Sequence, residues 1–129
     1  DVVDILHIGQ DDMSPEKAKD MIGTKMKLGL SITNISQLDK VPKCVDYLGV
    51  GPIYPTPSKN DASLPIGELG LQSIILKTTL PVIAIGGIKI KNAKKLFEIG
   101  VSGIALISEL LKKKDNIEVF RKLKKLAKI

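Results

Sequence analysis

Runs of near-continuous apolar residues recur along the chain, each followed by a stretch whose apolar positions fall three or four apart. The apolar runs are "ILHIG" (5–9), "KLGLSI" (27–32), "YLGVGPI" (47–53), "PVIAIGG" (81–87) and "GIALIS" (103–108). Their length, and their lack of strict apolar–polar alternation, predict parallel strands covered on both faces. The intervening stretches predict helices. In "SPEKAKDMIG" Ser14 is placed to cap, Pro15 opens the first turn and Gly23 ends it. "NISQLDKV" spaces Ile35, Leu38 and Val41, and "LGLQSIILKTT" groups Leu71, Ile74 and Ile75. "KNAKKLFEIG" puts Ala93, Leu96 and Phe97 on one face before Gly100, and "DNIEVFRKLKKLAKI" turns Ile117, Phe120, Leu123 and Ala127 inward. Strand alternating with helix is the signature of βα units and a parallel sheet.

In such folds ligands sit at the carboxyl ends of the strands, and here those ends collect polar residues and glycine. The first strand exits into Gln10, Asp11 and Asp12; the second through Ser31, Thr33 and Asn34. The fourth exits into Gly86-Gly87 and the fifth into Ile107 and Ser108. The third runs into "GPIYPTPSK", where Pro52, Pro55 and Pro57 alternate with Thr56, Ser58 and Lys59. Each feature has two readings. Paired aspartates cap the next helix, or hold a hard cation that leaves positions open for phosphate. Diglycine marks a turn, or bare backbone that a phosphate approaches. Ser108 is a helix cap or part of an anion site. His7 reads as a packed, hydrogen-bonded interior residue, and Tyr54 as the wall of a pocket. Together the strand ends point to a phosphorylated substrate and a divalent metal.

Composition narrows the picture. The 129 residues are one domain's worth at most, and their core is aliphatic, since aromatics are 3% and Trp is absent. A formal net charge of +6 rests almost wholly on lysines, with Arg121 the single arginine. Lacking arginine forks and stacking aromatics, it argues for a solvated basic face rather than a nucleic-acid partner. No apolar run reaches the roughly 18 residues of a membrane span. The lone cysteine, Cys44, suits a reducing cytoplasm.

The blocks "HIGQDD", "GLS", "DYLGVGPIYPTPSKNDA", "PVIAIGGI" and "GIALIS", in this order and spacing, resemble the thiamine-phosphate synthase family from end to end. The resemblance implies a (β/α)8 TIM barrel, of which residues 1–129 cover the fourth to eighth βα units as the C-terminal portion of a single domain. It implies a Mg²⁺-dependent transferase that joins hydroxymethylpyrimidine diphosphate to thiazole phosphate and releases pyrophosphate. Matched by motif, Asp12 becomes a Mg²⁺ ligand, Ser31 a contact to the pyrimidine, and Lys59 the catalytic residue that holds the diphosphate. Thr56, Pro57 and Ser58 border the thiazole phosphate, and Gly87, Ile107 and Ser108 complete its cradle.

Two departures accompany the match: Ser58 stands where threonine is common, and Ile5 where glycine is. The family's Gln-x-Arg-x-Lys motif and its Asn-Asp pair would lie upstream of Asp1. The expectation is therefore activity in the full-length protein, with these residues either self-associating through the edges "ILHIG" and "GIALIS" or joining an N-terminal segment. Two rivals remain: a thiazole tautomerase of the same fold, which needs neither diphosphate nor metal site, and a non-catalytic remnant that binds phosphate.

Overall fold

The computed structural model describes residues 3–56, 64–107 and 116–127. Five strands, β1 (Ile5–Ile8), β2 (Lys27–Ile32), β3 (Tyr47–Val50), β4 (Val82–Ile85) and β5 (Gly103–Ala105), form one parallel sheet in the order of the chain. Between them lie α1 (Pro15–Ile22), a 3₁₀ helix (Ile35–Lys40), α2 (Gly67–Lys77) and α3 (Ile90–Ile99); α4 (Asn116–Ala127) follows β5.

Local chemistry sets the boundaries. Ser14 caps α1, its hydroxyl accepting the Lys17 amide at 3.4 Å, with Pro15 in the first turn and Gly23 at the end with φ +67°. The Asn34 side chain caps the 3₁₀ helix by accepting the Ser36 amide at 3.0 Å, and Gln37 Oε1 takes the Thr33 and Asn34 amides. That polar knot winds the segment more tightly than the apolar spacing implies. β3 stops at Val50 because Pro52, two residues on, has no amide hydrogen for a ladder.

The chirality of the crossovers fixes where the core lies. Consecutive parallel strands joined by right-handed connections put every connecting segment on the same face. Leu28, Leu30 and Ile32 of β2, Leu48 and Val50 of β3, and Val82 and Ala84 of β4 are buried on that face against Ala18, Leu71, Ile74 and Leu96. The core is aliphatic, as composition foretells.

The opposite face carries His7, Gly29, Ser31, Tyr47, Gly49, Ile83, Ile85 and Ala105 and is not covered by helices among the described residues. Among the described residues helices cover one face of the strands, where the sequence predicts cover on both. Ile5 and Ile85 are exposed there. α4 brings a second correction. Ile117 and Phe120 are each 65% exposed, whereas Val119 is buried. The helix packs on α3, and of the stripe its spacing singles out only Leu123 and Ala127 are half-buried.

Candidate functional site

The carboxyl ends of β2 to β5 enclose a cavity of about 230 Å³ on the uncovered face. Ser31, Gly49, Thr56, Ile85, Gly87 and Ile107 are among its walls, and no charged side chain lines it among the described residues. Four of the expected substrate residues, Ser31, Thr56, Gly87 and Ile107, are thus brought together. Pro57, Ser58, Lys59 and Ser108 lie outside the described residues.

The floor is made by two loops that meet backbone to backbone. The Ile53 amide donates to the Ile85 carbonyl at 3.0 Å and the Tyr54 amide to the Gly86 carbonyl at 3.1 Å. Gly86 and Gly87 take φ of +91° and +68°, a region that favours glycine. The Gly87 and Ile88 amides, both at the cavity wall, donate to no acceptor among the described residues.

The far end of the β3 loop is pinned as well. The Ile66 amide reaches the Pro52 carbonyl at 2.8 Å, and the Gly67 amide the Ile53 carbonyl at 3.0 Å. The Tyr54 hydroxyl donates to Glu68 Oε1 at 2.8 Å. Burial and the adjoining carboxylate push that phenol up to about 12. Tyr54 is therefore a strut between loop and helix, not the pocket wall anticipated.

Asp12 stands apart from the cavity. It lines a smaller cleft with Gln10, Gln37 and Lys40. Its Oδ2 accepts the Gly9 amide at 2.7 Å, so it ties the turn leaving β1, while Ser14 does the capping. Its Oδ1 has no partner among the described residues. Gln10 Nε2 donates to the Ser31 carbonyl at 2.7 Å and holds this turn against the end of β2. A carboxylate with one oxygen spent and one exposed fits a Mg²⁺ ion that takes its other positions from phosphate and water. No group of three His, Cys, Asp or Glu capable of holding a metal occurs among the described residues.

His7 departs from expectation. It is exposed on the open face, because strand alternation directs it away from the helices. Its Nδ1 lies 2.9 Å from the Tyr47 hydroxyl and its Nε2 2.9 Å from Ser31 Oγ. Partial burial pushes the imidazole below its ordinary 6.5 and Tyr47 above 10.0. Room for both rings comes from glycine. A β-carbon on Gly29 would stand 2.1 Å from Tyr47, and one on Gly49 2.7 Å from His7. Tyr47 is the site residue that sequence reasoning passes over. Its only trace is the pair of inward-facing glycines two strands deep beside His7.

The chain matches the family described as "Thiamine monophosphate synthase" over residues 2–110. It belongs to the thiamine monophosphate synthase family. The thiamine-phosphate synthase of Lactococcus lactis subsp. cremoris is 47% identical over 83% of this chain and 50% of its own length. That of Chloroflexus aurantiacus is 42% identical over 98% of this chain and 58% of its own. Among solved structures, the thiamine phosphate pyrophosphorylase of Pyrococcus furiosus superposes with a TM-score of 0.85 at 33% identity, over 97% of this chain and 59% of that one. The chain spans about half the length of the curated relatives it matches. No helix among the described residues is long and apolar enough to cross a membrane.

Proposed function

We propose that the protein carrying this sequence condenses hydroxymethylpyrimidine diphosphate with thiazole phosphate to thiamine phosphate, releasing pyrophosphate. The observation that carries the reading is the cavity where Ser31, Thr56, Gly87 and Ile107 converge beside the Gly87 and Ile88 amides, which donate to no acceptor among the described residues. Within it the chain supplies the fourth to eighth βα units of a (β/α)8 barrel. Five parallel strands in chain order, with β1 and β5 as edges among the described residues, support that placement. A cytoplasmic setting goes with the reading.

In this reading the Gly87 and Ile88 amides, Thr56, Ser58, the Pro57 peptide, Ile107 and Ser108 hold the thiazole phosphate. A ring of amides and hydroxyls suits a phosphate, whose oxygens accept several hydrogen bonds at once. Ser31 contacts the pyrimidine, and Lys59 grips the diphosphate. Asp12 would hold Mg²⁺, which when bound neutralises charge gathering on the departing diphosphate. The diphosphate leaves the pyrimidine's methylene, and the thiazole nitrogen captures the resonance-stabilised cation. Such chemistry needs positioning and leaving-group stabilisation more than an acid–base pair. Among the described residues no charged side chain lines the cavity, which is in keeping with that reading.

The test is titration with thiazole phosphate, followed by amide chemical shifts. Saturable binding that moves the Gly87 and Ile88 resonances and weakens in Thr56→Val is expected. Binding that leaves those amides unmoved would refute the cradle.

A further inference from the structure

His7 joins two hydroxyls that face different ways. Tyr47 rises from β3 beside it, and Ser31 from β2 lines the cavity. A neutral imidazole has one N–H and one bare nitrogen, so the two bonds cannot have the same direction. In one arrangement Nδ1–H donates to Tyr47 and Ser31 spends its proton on Nε2, leaving only lone pairs for the cavity. In the other, Tyr47 O–H donates to bare Nδ1 and Nε2–H donates to Ser31 Oγ, so the Ser31 proton is free to point into the cavity.

A phenol is the more acidic hydroxyl, and its oxygen shares lone-pair density with the ring. It donates better than it accepts, whereas a serine hydroxyl does both. The bond at one ring nitrogen fixes the state of the other. The two rings are also held in place, centroids 5.4 Å apart, in the space left by Gly29 and Gly49.

We propose that Tyr47, through His7, sets Ser31 as a hydrogen-bond donor toward an acceptor atom of the ligand in the cavity. This rests on the reading above that Ser31 touches the pyrimidine substrate. Tyr47 and His7 are positioning residues, since they act through Ser31.

His7 is the only histidine in the chain, so its ring nitrogens are readable without assignment. With ¹⁵N-histidine labelling at neutral pH, NMR should show Nε2 protonated and Nδ1 bare, and Tyr47→Phe should abolish that preference. The opposite tautomer in the wild-type protein, or an unchanged spectrum in Tyr47→Phe, overturns the proposal.

Affinity for the pyrimidine diphosphate is then compared in wild type, Tyr47→Phe, Ser31→Ala and the double variant. A neutral hydrogen bond predicts losses of roughly three- to tenfold in each single variant. No further loss is expected in the double variant, because both changes remove the same bond. Additive losses overturn the proposal, since Tyr47 would then act independently of Ser31. If Ser31→Ala binds as wild type while the tautomer stands, it is the assignment of Ser31 to the pyrimidine that falls.

Discussion

A β-carbon at Gly87 would stand 2.6 Å from the carbonyl oxygen of Tyr54, so the loops leaving β3 and β4 touch backbone to backbone. With φ at +68°, Gly87→Ala meets a conformational penalty of about 1–2 kcal/mol before any clash is counted. We predict a loss of about 2–4 kcal/mol by urea denaturation, with weaker thiazole phosphate binding. Unchanged stability and affinity would mean the loops part readily and the cradle is not built on this contact.

The Tyr54–Glu68 bond pins the same loop to α2. Because the phenol is raised to about 12 when folded and titrates near 10 when unfolded, its stabilisation is complete below pH 10 and fades as pH rises from 10 to 12. Tyr54→Phe should lower stability by about 1 kcal/mol at neutral pH and flatten the alkaline limb between those values. A variant with the wild-type pH profile would assign that limb to other groups.

At the opposite end of the sheet, Asp46 accepts the Leu28 amide at 2.8 Å and pairs with Lys19 and Lys27 at 3.1 Å each. Foremost the backbone bond, and then the lysines, hold its carboxyl down to about 2, against the pull of desolvation. The stabilisation is therefore present above the ordinary value of 3.8 and is lost as pH falls from there through 2. Asp46→Asn keeps an acceptor for Leu28, so about 1 kcal/mol of loss at neutral pH is expected for these partly exposed pairs. Acid titrations of the two proteins that run parallel would count against the assignment.

His7 works in the same direction at higher pH. Its pKa lies lower in the folded protein than the unfolded 6.5, so its contribution is complete above 6.5 and declines as pH falls toward the folded value. His7→Gln should remove that step from the stability profile. The same step in the variant would place it elsewhere in the chain.

Much of this was readable from residue types. Apolar runs mark the five strands, and Ser14, Pro15 and Gly23 mark α1, because those signals are local. Gly51-Pro52 ends β3 for the same reason. The His7–Tyr47 pair was not readable, since the residues are 40 apart and meet only once the register sets His7 opposite Gly29 and Tyr47 opposite Gly29 from the other side. The uncovered face was also hidden: an apolar run looks alike whether helices cover one side or both. The α4 stripe held for Leu123 and Ala127 but not for Ile117 and Phe120, because periodicity says which residues share a face, not how far a neighbour covers it. Asp12 stood out as a candidate metal ligand, yet its turn back onto the Gly9 amide has no sequence signal.

That turn makes Asp12 a clean probe. Asparagine keeps an acceptor for the Gly9 amide and loses the charge, so Asp12→Asn should fold as wild type, within about 0.5 kcal/mol. The Mg²⁺ concentration for half-maximal activity should rise by about tenfold or more, as expected for loss of a charged contact. Superimposable metal titrations would make Asp12 a turn residue only.

Condensation is read from the products it forms. The native protein carrying this sequence is supplied with hydroxymethylpyrimidine diphosphate, thiazole phosphate and Mg²⁺, and thiamine phosphate and pyrophosphate are measured together. Equal amounts of the two products are predicted, with Lys59→Ala slower by about ten- to a hundredfold, the scale of a charged hydrogen bond to phosphate. Release of pyrophosphate without thiamine phosphate, or turnover indifferent to Lys59, would contradict the account.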